Sequence, residues 1–262
     1  MIARRLLLAG CVLIGAWLVV PTLVAVPVGF SGTRAFVLPP QGWSLQWYEN
    51  LFTDRRWWDA TRNSLVIALL TTVVATVTGT FTALALDRSE FPGKGVVVAL
   101  LFSPAIVPVI LLAIGLFYLF LRLRLAGTIG GLVLAHSVIG MPIVVRTVTA
   151  SLGERDRRIE QAAAGLGAGP VAVFRDVTLP LVAPGVFAGA VFAFLGSFDE
   201  VVLSVFLTSP QTQTLPVLMF NAVTREVDPT IAAASTVVLV FTTLLILIGM
   251  RLGRKGLVSR VI

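Results

Sequence analysis

EQAAAGLGAGPVAVFRDVTLP, residues 160–180, is the polar interruption on which the reading of this chain turns. On both sides the sequence is oily. Of its 262 residues 57% are hydrophobic and only 13% charged, and the mean hydropathy is +0.96. A soluble domain is nearer half apolar and about a quarter charged. The excess gathers in runs of about 20 residues with few charges, the length that crosses a hydrocarbon core of about 30 Å. Backbone polar groups in lipid must be satisfied within the segment, so these runs are expected to be helices. Long apolar runs without alternation argue against a membrane β-barrel.

Six spans are expected, at residues 6–26, 65–86, 95–120, 127–150, 185–206 and 231–250. The third is expected to tilt or bend at Pro104 and Pro108, because proline removes a backbone donor. With both termini inside, thirteen of the 20 Lys and Arg residues fall on the inner side and seven on the outer side. That bias places the longest inner connection, 151–184, in the cytoplasm. The net charge of +7 follows membrane topology rather than nucleic acid, since the basic residues sit at segment ends and form no basic face. Cys11 is the single cysteine, so no disulfide closes within the chain. The first run follows Arg4 and Arg5 as a signal peptide would, but it is too long and lacks a clear cleavage site. It is read as a retained anchor.

Within the interruption the residues describe two rigid helices. Ser151 is expected to cap a helix reaching about Leu166, with Glu154 completing a capping box. Gly167 suits the left-handed position that closes a helix. Pro170 restarts the chain, and Val171 and Phe174 would share one face of a short second helix. Leu179-Pro180 is expected to end it, since the residue before proline avoids the helical region. Small residues at 162–165 would let another surface approach, and Phe174 would serve as an exposed docking knob.

This stretch resembles the cytoplasmic signature of ABC importer permeases, E-A-A, three residues, G, nine residues, I, one residue, L-P. Here it reads Gln161-Ala162-Ala163, Gly167, Val177 and Leu179-Pro180, with the spacing kept throughout. Gln161 replaces the acid, with Glu160 one place earlier, and Val177 replaces Ile. Arg62-Asn63-Ser64-Leu65 resembles the entry to the permease core. Ala135-His136 with Pro142, Ser197-Phe198-Asp199-Glu200, Thr214-Leu215-Pro216 and Asp228-Pro229-Thr230 resemble the spermidine and putrescine branch.

The resemblance implies an all-α integral membrane protein with six transmembrane helices, the type I ABC importer permease fold and a cytoplasmic coupling-helix loop. It would be a single permease domain over 1–262. An anchor helix and outer loop would occupy 1–62 and a permease core 63–250, with the coupling loop at 151–183 and a cytoplasmic tail at 251–262. Residues Glu160, Gln161, Ala162, Ala163, Gly167, Val171, Phe174, Leu179 and Pro180 would couple the chain to an ATPase. The implied partners are an ATPase dimer in the cytoplasm, a second homologous permease chain, an external solute-binding protein and membrane lipid, with no nucleic acid. ATP and Mg would be bound by the ATPase. Gly93-Lys94 is followed by Gly95, so the chain has no phosphate loop and no cofactor of its own is expected. The setting would be a bacterial inner membrane, with both termini cytoplasmic.

Asp199 lies about 15 residues into the expected fifth span, beside Glu200 and Ser197. Ionisable groups in a span are costly and point to a solute path. An acidic pair there would attract a cationic amine; the alternatives are that the span ends early and the acids are wet, or that one pairs with Arg122 or Arg124. His136, the single histidine, cannot form a metal site with spacing and either makes an interhelical hydrogen bond or touches solute. Catalytic and metal-binding residues are not expected. The aromatic cluster Trp43, Trp47, Tyr48, Phe52, Trp57 and Trp58 suits a short helix on the outer leaflet or a contact for an external partner. Leu215, Leu218, Met219 and Phe220 suggest an amphipathic patch in the outer loop before the last span. The expected function is a permease subunit for a small cationic solute such as a polyamine. Another small solute, such as an aminophosphonate, amino-acid derivative or metal ion, is the alternative. A stand-alone secondary carrier would be expected to show internal repeats, and none is visible.

Overall fold

The computed structural model describes residues 2–34, 36–153, 156–226 and 228–258. Those residues form helices and connecting turns, with no strand among them. Five helical stretches are long and apolar enough to cross a membrane: Leu6–Gly29, Arg55–Arg88, Ile129–Gly153, Pro170–Phe198 and Thr230–Gly249. A sixth crossing arises if Lys94–Ala105 and Val109–Leu123 count as one span, and these meet at 101°. The bend falls at Pro104 and Pro108. Ser103–Ala105 tightens into a 3₁₀ turn, and Pro108 precedes the second half.

The chain forms two compact units. The larger comprises residues 60–217 and 245–262. Its axis is α7 (Ile129–Gly153), the most buried of the spans, whose inward residues include Leu132, His136, Gly140, Val144, Val148 and Leu152. Their spacing of four residues sets each about one turn from the next, so the buried stripe winds slowly around the helix, by about 40° per step. Helix α10 (Leu179–Phe198) lies along α7. Close approach is possible because Gly189 has no side chain: a Cβ there would stand 3.1 Å from Val144 Cα. From the other side α4 (Arg55–Arg88) reaches the same residue, with Gly79 facing the Val144 side chain. Small residues at helix crossings are the usual means of close packing in lipid. One buried cluster gathers Ala83, Leu84, Val144, Val148, Leu152 and Val182. A second joins Ile67, Phe120, Leu132, Leu203 and Leu207, and brings in α6 (Val109–Leu123) and α11 (Val202–Leu207).

The smaller unit comprises residues 1–59 and 218–244. It holds α1 (Ile2–Leu23), α2 (Ala25–Gly29) and α3 (Gln46–Thr53), with the first part of α13 (Thr230–Val258). Trp47 Nε1 donates to the Ser31 carbonyl at 2.7 Å, and Asn50 Nδ2 donates to Thr230 Oγ1 at 2.7 Å. Asp228 accepts from the Thr230 amide at 2.9 Å and so caps α13, with Pro229 beside it. This is the local reason for the Asp-Pro-Thr order, since an acidic cap satisfies an orphan amide. The aromatic segment divides: Trp57 is 1% exposed and belongs to the interior, whereas Trp43, Phe52 and Trp58 face outward.

Several expectations are corrected. Helix α4 begins at Arg55, ten residues before the expected span, because Asp54 accepts from the Arg56 amide at 2.8 Å and starts a helix there. Ser151 does not cap the loop helix; it lies inside α7, which runs to Gly153. Glu154, its expected capping-box partner, is outside the described residues. The cap is Asp156, in extended conformation, whose carboxylate accepts from the Arg158 amide at 2.9 Å and opens α8 (Arg157–Gly165). The second loop helix does not stop at Leu179-Pro180. It runs from α9 (Pro170–Val173) through a π-helical turn, Phe174–Thr178, into α10. The wider turn accommodates the proline, whose missing amide and ring disturb a regular α ladder. The fifth span therefore starts before residue 185 and ends at Phe198, not 206. Leu215 and Leu218 of α12 (Leu215–Asn221) are buried rather than an outward patch; Met219 is half-buried, and of the four only Phe220 is exposed.

Candidate functional site

The interruption at 160–180 is built as a stiff projection. Asp156 closes its N-terminal end. At the other end Leu166 and Ala168 donate to the carbonyls of Ala162 and Ala163 at 3.0 and 3.1 Å, and Gly167 takes φ +89°. No atom of this chain lies within 4 Å of where a Gly167 Cβ would be, so within the chain it is the left-handed backbone, not packing, that calls for glycine. Gly169 is extended and Pro170 opens α9.

The outward face of this projection is Gln161, Ala162, Ala164, Gly165, Leu166 and Gly167, followed by Val171. Leu166 is 89% exposed and Val171 78% exposed, on either side of the glycine turn. Burying a residue of this kind contributes about 1.5–3 kcal/mol. Ala163 is half-buried, and Leu179 and Pro180 are exposed at the root of α10. Phe174 does not project. It stacks on Phe81 of α4, with ring centroids 6.1 Å apart, and packs on the buried cluster around Val144. The apolar knobs are therefore Leu166 and Val171. Leu166 was not singled out in the sequence; its signal was a leucine at the C-cap of a helix whose residues from 160 to 165 are all polar or small.

Glu160 also turns inward. Its Oε1 accepts from Thr178 Oγ1 at 2.7 Å, and both of its oxygens lie 3.5 Å from Arg88 Nη2. Arg88 further donates to Thr178 Oγ1 at 3.1 Å. The carboxylate beside Gln161 is thus engaged by this chain's own spans. Arg88 and Thr178 escaped the sequence reading because their meeting is made by tertiary packing.

The intramembrane polar residues are placed differently. His136 is buried on α7, with Nδ1 2.8 Å from Ser197 Oγ of α10 and Nε2 3.2 Å from Ser204 Oγ of α11. Both ring nitrogens are satisfied, so the histidine ties three helices together. Ser197 is committed to that bond. Asp199 is exposed at the C-terminal end of α10 and has no ion-pair partner among the described residues. Glu200 accepts from the Leu203 amide at 2.9 Å and caps α11. Neither acid pairs with Arg122 or Arg124 among the described residues. The two acids mark a helix break, not the interior of a span. A small cavity lined by His136, Gly140, Phe192, Ser197 and Glu200 adjoins them. Among the described residues no three His, Cys, Asp or Glu side chains group as a metal site requires.

The arrangement of helices is that of known importers. A chain from the crystal structure of a bacterial ABC transporter involved in import of the acidic polysaccharide alginate superposes with a TM-score of 0.70 at 16% identity, covering 96% of each chain. A chain of a bacterial alginate ABC transporter in complex with an alginate pentasaccharide-bound periplasmic protein gives a TM-score of 0.73 at 14% identity, covering 97% and 94%. These share the fold. Residues 75–255 match the family described as binding-protein-dependent transport system inner membrane component. The chain belongs to that family: it is a multi-pass inner-membrane permease subunit of an ABC importer, and a transport component rather than an enzyme. Among its relatives is the spermidine/putrescine transport system permease protein PotC of Haemophilus influenzae, 33% identical over 92% of this chain and 93% of that one. The putrescine transport system permease protein PotI of Escherichia coli is 34% identical over 85% and 82%. The trehalose transport system permease protein SugB of Mycobacterium tuberculosis is 32% identical over 81% and 79%.

Proposed function

We propose that the chain forms, with a second permease chain, the membrane path of a polyamine importer, and that the projection at residues 156–171 docks on a cytoplasmic ATPase. The observation that carries the docking reading is the pair Leu166 and Val171, left bare on a rigid turn while Glu160 is drawn into the fold. Apolar knobs on a floppy loop would absorb an applied displacement; on capped helices they pass it on. The ATPase pair would bind ATP and Mg, and its closure would move the projections together. The spans would then rock between inward-facing and outward-facing states, with solute delivered by a binding protein from outside. Both termini lie in the cytoplasm in this scheme.

A cationic solute is supported by the names of two relatives and by Asp199 and Glu200 at the end of the fifth span. The similar identity to a trehalose permease makes the solute a matter for direct measurement. The tagged chain, purified from its native membrane, is expected to bring an ATPase with it, and Leu166→Asp to release that ATPase. The cognate binding protein is expected to gain thermal stability with spermidine or putrescine and none with trehalose. The opposite preference would remove the polyamine reading and leave the permease reading intact.

A further inference from the structure

Three side chains close a joint between the projection and two spans. Glu160 leaves α8 and turns from solvent, its side chain 15% exposed. Arg88 stands in the last turn of α4, and Thr178 is buried at the end of the π turn that leads into α10. A hydroxyl has one proton to give. That of Thr178 goes to Glu160 at 2.7 Å rather than to the Val173 carbonyl at 3.4 Å, which leaves its lone pairs for Arg88 at 3.1 Å. A second contact runs alongside, the Phe174 ring on Phe81.

The chain path shows what such a joint can do. Helix α8 is followed directly by the turn at Gly167 and the helical run into α10, so a displacement of α8 reaches α10 through backbone. Helix α4 ends 72 residues earlier than Glu160 and has no such link. It is reached through side chains. Both α4 and α10 also pack on α7 at Val144.

We propose that Arg88, Glu160 and Thr178 are positioning residues forming a transmission joint, through which movement of α8 carries the inner end of α4 together with α10. The proposal rests on the reading of the projection as the ATPase contact. It assigns Glu160 to force transfer inside this chain and not to the ATPase surface.

The test uses the complete assembly purified with its ATPase. Cys11 is replaced by Ser, and nitroxide labels are placed at Ser89→Cys, the residue that follows α4 beside the joint, and at Arg158→Cys on the exposed start of α8. The joint predicts one label-to-label distance before and after trapping with ATP and vanadate. Arg88→Gln and Glu160→Gln are each expected to make the distance differ between the two states while the ATPase still co-purifies and splits ATP. The double variant should do no more than either single change, because coupled residues are not additive. Thr178→Val, which keeps shape and removes the hydroxyl, is expected to act alike and carries the test if a charge variant fails to fold. A distance that changes in the unaltered assembly, or that stays constant in the single variants, overturns the proposal. Release of the ATPase by Glu160→Gln alone also overturns it, by making Glu160 a docking contact. If the unaltered chain brings no ATPase at all, the parent reading fails and the joint falls with it.

Discussion

His136 Nδ1 lies 2.8 Å from Ser197 Oγ, and its Nε2 lies 3.2 Å from Ser204 Oγ, so one ring bridges α7, α10 and α11. Hydrogen bonds between membrane helices average about 0.6 kcal/mol and reach about 1.7 kcal/mol. His136→Leu is therefore expected to destabilise the chain by about 1–3 kcal/mol, since it also strands two buried hydroxyls. Thermal unfolding in detergent checks this. The apparent KM for solute should stay within twofold (about 0.4 kcal/mol). A large KM change with unaltered stability would restore the solute-contact reading.

Gly189 approaches Val144 too closely for a side chain, with a built Cβ 3.1 Å from the Val144 Cα and nearer still to Thr147. Overfilling a packed interface costs about 1–3 kcal/mol. Gly189→Val is expected to lower the melting temperature of the purified chain, whereas Gly196→Val, where no atom stands within 4 Å, is expected to change it far less.

Gly167 has φ +89° and open space around it. A residue with a Cβ loses about 1–2 kcal/mol in left-handed conformation, and Asn tolerates it best. The expected order of ATPase retention on co-purification is Gly, then Asn, then Ala, then Val. A loss with Asn as severe as with Val would point to a steric contact from the partner rather than backbone strain.

Glu200 caps α11 and Asp199 stands free of ion pairs among the described residues. Loss of a capping side chain costs about 0.5–2 kcal/mol. Glu200→Ala is expected to lower stability by that amount, while Asp199→Asn leaves stability unchanged. If a cation passes this helix break, Asp199→Asn raises the KM for spermidine uptake in reconstituted vesicles. An unchanged KM would remove Asp199 from the path.

What the residues alone disclosed follows from period and punctuation. The spans were legible because about 20 apolar residues have no other stable environment than lipid or a core, and a helix is the form that satisfies their backbone. The bend of the third span was legible in Pro104 and Pro108, which act locally. The turn at Gly167 and the helix start at Pro170 were readable for the same reason, and the signature spacing from Gln161 to Pro180 carried the family. Less local matters were misjudged. The cap lay at Asp156, not Ser151, because α7 continues until its packing on α10 ends. Leu179-Pro180 looked like a helix stop, but a π turn absorbs the proline.

Side-chain direction was decided by tertiary structure. Residues 160, 166, 171 and 174 lie along α8, its C-cap, α9 and the π turn, and helical spacing gives their angles about each axis without saying which side meets the membrane core. Packing on α4 draws Phe174 and Glu160 inward, against Phe81 and Arg88, and leaves Leu166 and Val171 outside. Arg88 and Glu160 stand 72 residues apart, and their meeting depends on α4 and α10 both closing on Val144 of α7. A contact of that span is set by the assembled helices, since nothing in the intervening chain confines one end to the other.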